Sequence, residues 1–467
     1  MTPQEMTERA LAAARSDECI VIAAENSDAN LRWAGNTLTT NGVTRSRRLT
    51  VIAIEHRRDG MAAGTVSRAG VHDDQITDVV RAAEQAASQG SAAEDARPLI
   101  DAGERQPFGK WDEEVSATDT RVFSGLAAAL GEAFAAADSD ARLLYGFAEH
   151  ELSCTFLGTS SGLRLRHDQP RGRFELNAKS ADLERSAWAG TATREFADVD
   201  VTALDAQLTR QLDWAKRAVA LPAGRYETLL TPSAVADLLV VLYQAAGAKD
   251  AFDGRTVFAK AGGGTRVGER LAALPVSLRS DPGAAGLECA PFVLAYASSR
   301  QRSVFDNGLP LTPTEWISAG SLAALVQTRH SAELTGLPVT PAIDNLILEA
   351  NGTDVSSSDS ALDEMIANTS RGLLVNCLWY IREVDPQTLL VTGLTRDGVY
   401  LVEGGEVTAA VNNFRFNDSP VGVLDRLAEV GRTQRCLPRE WGDLFPRVAA
   451  PPVRVEGFNM SSVSEAS

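Results

Sequence analysis

The most apolar stretch of the chain is 234–248, where one aspartate and one glutamine interrupt a series of apolar or small residues. Thr231 precedes it with a hydroxyl that can cap a helix, and Pro232 stands at the first helical position, where a missing N–H costs nothing. A helix that is apolar on every face is buried, and this one is too short to span a bilayer. The pattern therefore predicts a buried helix, followed by a glycine-rich loop around 262–264.

Two successive passes of helix, strands and helix are predicted before residue 220. A turn signal at 40–42 lies between two alternating runs in the first pass. Residues 88–112 are rich in Gly, Ser, Ala and Asp and are predicted to form a linker between the passes. The predicted helices are 3–17, 72–87, 122–137 and 204–220, and the predicted extended segments include 19–24, 30–54, 152–157 and 163–166. We expect residues 1–220 to form one α+β domain with a weak internal duplication.

Beyond residue 221 the chain alternates between apolar and polar side chains, in segments separated by glycine-containing turns. This pattern is typical of an antiparallel strand meander. The sequence thus predicts an α+β fold, with an N-terminal domain of repeated helix and strand units. The C-terminal domain, 221–456, is expected to have a large antiparallel, barrel-like sheet around the buried helix. The serine-rich residues 457–467 are expected to form a loose tail.

Composition narrows the class of protein. Of the 467 residues, 44% are hydrophobic and 23% are charged, as in ordinary globular proteins. The net charge of −17 argues against a protein that coats nucleic acid or binds an anionic membrane. Five cysteines are widely scattered without a C-x-x-C pair, and the first residues lack the apolar core of a signal peptide. We therefore expect a cytoplasmic protein.

The buried helix, the glycine-rich loop and the following Val267-Gly268-Glu269-Arg270 resemble the C-terminal half of the TldD/TldE (PmbA) metallopeptidase family. The resemblance continues through 304–310, 345–350, 371–373, 385–386 and 399–407. In catalytic members of that family the helix carries His-Glu-x-x-x-His. The matching residues of this chain are Tyr243, Gln244, Ala245, Ala246, Gly247 and Ala248.

The residues at these positions decide what the resemblance implies for chemistry. A catalytic zinc needs about three protein ligands, an open water position and a carboxylate that handles protons. The phenol of Tyr243, the amide of Gln244 and the methyl of Ala248 cannot replace two imidazoles and a carboxylate, although Gly247 is retained. The chain thus resembles the TldE-type partner, with no catalytic residue, metal ligand or cofactor of its own.

The same resemblance implies a partner and a substrate. Zinc is expected in a TldD-like catalytic subunit, with which this chain would form a heterodimer or a higher assembly. The complex would cleave unstructured or modified peptides. No nucleic acid and no membrane is expected as a partner.

Cys436 falls in the region from which catalytic members supply a third zinc ligand. A lone cysteine is more often a small buried hydrophobe. Two other functions stay open from the sequence. One is a homo-oligomeric peptide-binding or scaffold protein without a catalytic partner. The other is a peptidase with a displaced ligand set, drawn from His330, Cys436 and nearby carboxylates.

Two further patterns carry weaker signals. Residues 158–162 fit the G-x-S-x-G pattern of a nucleophile elbow, but an alternating strand follows where an elbow requires a helix, so a hairpin turn is predicted. His150 and Cys154 are four residues apart on a predicted strand. We expect a surface histidine and a buried cysteine there, not a metal site.

Overall fold

The computed structural model describes residues 1–103, 111–351 and 361–464. Its helices are α1 (Pro3–Ala13), α2 (Ile76–Gln89), α3 (Ser124–Ser139), α4 (Val201–Trp214), α5 (Pro232–Gln244), α6 (Ala248–Phe252), α7 (Arg329–Thr335), α8 (Ala361–Ala367) and α9 (Pro420–Asp425). Its strands are β1 (Glu18–Ala34), β2 (Leu38–Arg57), β3 (Gly60–Ala69), β4 (Arg142–Thr159), β5 (Arg164–Ser180), β6 (Ser186–Thr193), β7 (Ala218–Val219), β8 (Gly224–Leu230), β9 (Val276–Ser280), β10 (Thr314–Ser318), β11 (Ser321–Leu322), β12 (Leu346–Ala350), β13 (Arg371–Asp385), β14 (Leu390–Glu403), β15 (Glu406–Val411), β16 (Phe414–Asp418), β17 (Leu427–Val430), β18 (Gln434–Cys436), β19 (Val448–Ala450) and β20 (Val453–Val463). The predicted α+β class is confirmed.

The first six strands form one antiparallel sheet, which we call the N-terminal sheet, with the order β3-β2-β1-β4-β5-β6. Each half of the sheet is built from a helix, three strands and a second helix, and this order occurs twice along the chain. Alternate residues of β1 face opposite sides. Val21 lies in the apolar cluster that α1 and α2 cover, whereas Ile20 and Ile22 lie in a cluster with Phe305 from the C-terminal half. The sheet is therefore buried on both faces at this point.

The turn between β1 and β2 lies at Gly35 and Asn36, and not at 40–42, where a turn was predicted. Gly35 has a φ of 58° and Asn36 a φ of 62°. Two successive left-handed residues are what the tight turn of a hairpin requires. The Ala34 N–H donates to the carbonyl of Thr37 at 3.0 Å and closes this turn. β2 then continues without a break through 40–42, so the predicted turn there is wrong.

Described residues of the predicted linker, 88–112, pack against the core. α2 ends at Gln89, and the described residues after it form no helix or strand as far as 119. Leu99 and Ile100 nevertheless pack against the cluster that joins the N-terminal sheet to Phe305. Residues 104–110 of this segment lie outside the described residues. The last helix of this half, α4, ends at Trp214, before the predicted 220, and β7 already pairs with β15.

Five strands of the C-terminal half close a barrel in the order β13-β8-β20-β16-β14, and β14 pairs again with β13. Only the pair of β8 and β13 within this ring is parallel. A second sheet has the order β11-β10-β9-β12-β19-β18. α5 contacts β8 and β13 of the barrel and also β18 and β19 of the second sheet. The predicted barrel-like sheet with a buried helix is confirmed.

The segment predicted to be a loose tail is a barrel strand as far as Val463. β20 begins at Val453 and pairs with both β8 and β16. Phe458 and Met460 on this strand are fully buried, because apolar residues alternate into the barrel as far as Met460, and only the residues after it are exposed. Residues 465–467 lie outside the described part of the chain. No helix in the described residues is long and apolar enough to cross a membrane.

Candidate functional site

α5 carries the first two of the positions that the family resemblance singles out. The hydroxyl of Thr231 accepts from the Ala234 N–H at 3.4 Å, and Pro232 is the first helical residue, as predicted. Every residue of the helix except Ser233 and Gln244 is buried. An apolar sequence on all faces is thus matched by packing on all faces.

α5 ends at Gln244, four residues before the predicted end. Gly247 has an extended conformation, with a φ of −68° and a ψ of 122°, and α6 begins at Ala248. The Ala248 N–H donates to the carbonyl of Val326 at 2.9 Å, and the Val326 N–H donates to the carbonyl of Ala246 at 2.8 Å. These two hydrogen bonds with Val326 take the place of the hydrogen bonds that a continuous helix would make. Tyr243 and Gln244 therefore lie before a break in the helix, and Ala248 lies after it.

Gly247 lies close to a neighbouring side chain, and its negative φ does not itself call for a glycine. A Cβ at this position would approach Cγ of Gln301 to 2.9 Å. The Gln301 side chain donates from Nε2 to the carbonyl of Gln244 at 2.7 Å and so satisfies one carbonyl at the end of α5. The side chain of Gln244 is itself exposed.

Tyr243 is a packing residue. Its ring lies 5.2 Å from the ring of Trp316 and 5.8 Å from that of Phe445. Its hydroxyl donates to the carbonyl of Ile343 at 3.1 Å and accepts from the N–H of the same residue at 2.8 Å. Burial raises the pKa of the Tyr243 phenol above its usual range. The phenol therefore stays neutral and fully engaged with the backbone.

The residues present do not fit zinc. Ala248 is fully buried and offers a methyl group, the hydroxyl of Tyr243 is committed to Ile343, and Gln244 points to solvent. Among the described residues, no three His, Cys, Asp or Glu side chains converge in a way that could hold a metal ion. No catalytic step through a metal can be built on these positions.

Cys436 lies at the other end of α5 from Tyr243. The neighbouring Leu437 accepts at its carbonyl from the hydroxyl of Ser233 at 2.7 Å, whereas Phe445 reaches Tyr243. From Ser233 to Tyr243 the helix axis rises about 15 Å. The Cys436 thiol donates to the carbonyl of Val448 at 3.7 Å, and burial raises its pKa. Its surroundings are those of a structural cysteine.

His330 does not join Cys436 in a ligand set either. Its Nδ1 lies 3.3 Å from the guanidinium of Arg97 and its Nε2 lies 3.4 Å from the carboxylate of Glu94. Arg97 also pairs with Glu333. The ring is thus held by the segment after α2.

The prediction that His150 is exposed is wrong, whereas Cys154 is buried as predicted. The ring nitrogens of His150 bond to the hydroxyl of Thr118 and to the carbonyl of Arg194, each at 2.7 Å. Burial lowers the pKa of His150. This histidine is a satisfied core residue, and its buried strand position could not be read from the polar residues around it.

The predicted hairpin turn at 158–162 is confirmed, because β4 and β5 pair in antiparallel fashion on either side of it. The Thr159 N–H donates to the carbonyl of Leu163 at 3.1 Å. The hydroxyl of Ser160 accepts from the N–H of Cys19 at 2.9 Å. Ser160 therefore has a structural role, and no helix follows it.

A buried carboxylate on α5 was not singled out by sequence reasoning. Asp237 is fully buried, and its Oδ1 accepts from the Glu440 N–H at 3.0 Å. Burial raises the pKa of Asp237 well above its usual range. A polar residue that interrupts an apolar helix was the available signal, since such a residue must find a partner in the core.

A cavity of about 250 Å³ lies beside α6, next to the break at Gly247. Its walls come from the segment after α2, the start of α6, the residues around 299 and the start of α7, and they include Glu94, Lys249, Ser298, Arg300 and His330. Arg300 pairs with Asp250 and Asp253, and Lys249 also pairs with Asp253 at 2.8 Å. These residues come from four separate segments, so no sequence motif could have gathered them.

The sequence of the barrel and of α5 also matches a known protein family. The family model of the PmbA/TldA metallopeptidase C-terminal domain matches residues 223–462, just over half of the chain. The match contains α5, the whole second sheet and the barrel as far as residue 462. The chain belongs to the TldD/TldE/PmbA family. No curated protein matches it significantly.

Solved structures share the fold of this family member over nearly its whole length. TldE from Thermococcus kodakarensis is 17% identical, with a TM-score of 0.77, and the match covers 98% of this chain and 99% of that one. A proposed modulator of a DNA gyrase from Thermotoga maritima is 16% identical, with a TM-score of 0.72, over 98% and 100%. A proposed modulator of DNA gyrase from Bacteroides thetaiotaomicron is 14% identical, with a TM-score of 0.73, over 99% and 98%. At these identities the likeness establishes the fold alone.

Proposed function

We propose that this chain is a non-catalytic, TldE/PmbA-like subunit that acts with a separate, zinc-bearing member of the TldD/TldE/PmbA family. The observation that carries the proposal is the identity and burial of the side chains at the break between α5 and α6. The phenol of Tyr243 fills the core and Ala248 is buried, while the catalytic pattern of the family places imidazoles at these two positions. A family member built in this way contributes structure to a peptidase, and its partner contributes the metal.

The substrate of the complex is proposed to be an unstructured or modified peptide, in line with the metallopeptidase family to which the chain belongs. We place the complex in the cytoplasm. All five cysteines are free and buried in the fold, which is the usage expected in a reducing compartment.

Association is tested by co-expressing this chain with a family member that carries His-Glu-x-x-x-His and separating the products by size. We expect one species that contains both chains, with zinc in proportion to the partner. Cleavage of unfolded casein should require both chains together. A partner variant with both histidines replaced by alanine serves as the control, since it should still associate but not cleave.

Two results would contradict the proposal. One is a zinc ion held tightly by this chain alone after brief chelation and dialysis. The other is separate migration of the two chains at micromolar concentration, with casein cleavage that does not depend on this chain.

A further inference from the structure

One edge of the N-terminal sheet is left open. β3 pairs with β2 only from Arg48 onwards, so residues 38–46 of β2 pair with β1 on one side and with no described strand on the other. The other two edge strands of this sheet each contact a neighbouring segment over part of their length. β6 contacts β14 and β18, and the Ala93 N–H donates to the carbonyl of Met61 on β3 at 2.8 Å.

The direction of the backbone groups on this open edge follows from the pleat. The carbonyl of Arg47 accepts from the Gly70 N–H, which follows β3, at 2.8 Å. Backbone groups of alternate residues point to the same side of a strand. The register of β2 with β1 has no irregularity from residue 40 to residue 54. Asn41, Val43 and Arg45 therefore direct their N–H and C=O groups outwards, away from β1.

Between the irregularity at Leu38–Thr40 and Arg45, the sequence of this edge contains nothing that blocks pairing. Natural sheets block an open edge with charged residues, proline, a bulge or a covering segment. Residues 38–44, Leu-Thr-Thr-Asn-Gly-Val-Thr, contain neither a charge nor a proline. Leu38 and Val43 are 46% and 42% exposed. Threonine and valine favour strand pairing, so this segment is ready to accept another strand.

The charged residues near the open edge indicate which kind of peptide could pair with it. Arg45 and Arg68 are exposed at one end of the open edge and lie on one face of the sheet, and neither forms an ion pair with a described carboxylate. The carboxylate of Asp119 acts on Arg45 through space but is itself paired with Arg121. The whole chain carries a net charge of −17, so two exposed arginines without an ion pair contrast with its overall charge. An extended segment with acidic residues opposite this end is the complementary ligand.

We propose that residues 38–46 of β2 bind an extended, acidic peptide segment as an additional strand of the N-terminal sheet. Main-chain bonds to the outward groups hold the peptide irrespective of its sequence, and the arginines select for acidic residues. The inference rests on the proposed function only in assigning this peptide to the substrate of the complex. The binding site itself follows from the open edge and its charge.

The test uses this chain alone, without the zinc-bearing partner. The probe is a fluorescent peptide of about ten residues, in which threonine alternates with valine and glutamates stand at one end. Its binding is measured by fluorescence anisotropy. We expect Val43→Pro to weaken binding about tenfold or more, because proline removes an outward N–H and no bond to β1. Val43→Ala keeps the N–H and should bind within about twofold of the unchanged chain.

Charge reversal gives a second and independent readout. Arg45→Glu should weaken binding of the glutamate peptide about fivefold or more. It should strengthen binding of a peptide with lysines in place of the glutamates. This pair of results decides the question if circular dichroism shows that Val43→Pro does not fold. A peptide methylated at alternate backbone nitrogens should not bind at all, since it cannot pair with an edge.

Equal binding by the unchanged chain, Val43→Pro and Arg45→Glu would overturn the proposal. A dimer of this chain would also overturn the proposal if Val43→Pro dissociates it and the glutamate peptide does not. The open edge would then bind a second copy of the chain. Neither outcome involves the zinc-bearing subunit. The association test of the proposed function therefore stands or falls separately.

Discussion

The carboxyl group of Asp237 lies in surroundings that disfavour its charged form. It is fully buried on α5, and burial raises its pKa. A carboxyl group that holds its proton more tightly in the folded state loses stabilising free energy as the pH rises from its unfolded pKa, near 4, towards its folded pKa. The loss approaches about 1.4 kcal/mol per pH unit within that window.

We therefore expect Asp237→Asn to flatten the dependence of the free energy of unfolding on pH. The variant should match the unchanged chain near pH 4 and be more stable than it at pH 7, because the amide is neutral throughout. Urea denaturation of both proteins between pH 4 and pH 7.5 measures the difference. Parallel profiles would show that Asp237 has the same pKa in the folded and the unfolded chain, and would contradict this expectation.

The hydroxyl of Tyr243 gives a second test. It satisfies both backbone groups of Ile343 inside the core. Tyr243→Phe leaves these groups without a partner, at a cost of about 1–3 kcal/mol in the free energy of unfolding. Tyr226→Phe is the matched control, because the Tyr226 hydroxyl bonds to the carbonyl of Pro222 at an exposed site. An equal loss in the two variants would contradict a structural role for Tyr243.

Residue identities at the candidate site were readable from the sequence, whereas their surroundings were not. The loss of imidazole and carboxylate at Tyr243, Gln244 and Ala248 follows from the chain itself. The distance of Cys436 from Tyr243 depends on how residues 437–445 run along α5. Nothing in the local pattern of that segment specifies its path.

The strand β20 shows that a serine-rich composition can conceal a buried strand. Its serines favoured a loose tail, yet Phe458 and Met460 alternate into the barrel. Similarly, the Asn-Gly pair at 41–42 indicated a turn, but Gly35 and Asn36 provide the left-handed residues of the hairpin. Two turn signals six residues apart compete, and pairing with β4 along β1 as far as Ala34 selects the earlier one.

Phe458→Ala tests the assignment of β20 to the core. Removing a fully buried phenylalanine costs about 3–5 kcal/mol in the free energy of unfolding. Ser462→Ala, at an exposed position of the same strand, should change it by less than about 0.5 kcal/mol. Both variants are compared by urea denaturation. A change in the free energy of unfolding as small as that of Ser462→Ala would instead support the prediction of a loose tail.

The two halves of the chain share a buried interface. Ile20, Ile22 and Leu157 of the N-terminal sheet lie in one apolar cluster with Val304 and Phe305. A shared core couples the unfolding of both halves. The helix and strand order of each half was predictable from the chain, whereas this contact was not, because its residues are far apart in sequence.

We expect a single calorimetric unfolding transition for the unchanged chain. Phe305→Ala should lower its midpoint and separate the transition into two, because it opens a cavity between the halves. Scanning calorimetry of the two proteins makes the comparison, with Leu38→Ala as an exposed control. Two transitions in the unchanged chain would show that the halves unfold independently.

The closure of the barrel by β20 has a consequence for biosynthesis. β8 is the first barrel strand to leave the ribosome, and one of its neighbours in the ring, β20, is the last. The N-terminal sheet pairs only within itself and can form while translation continues. Arrested nascent chains that stop before residue 453 should therefore contain a protease-resistant N-terminal half and a degradable C-terminal half. Until β20 emerges, α5 has no closed barrel to pack against, and its apolar surface is available to chaperones.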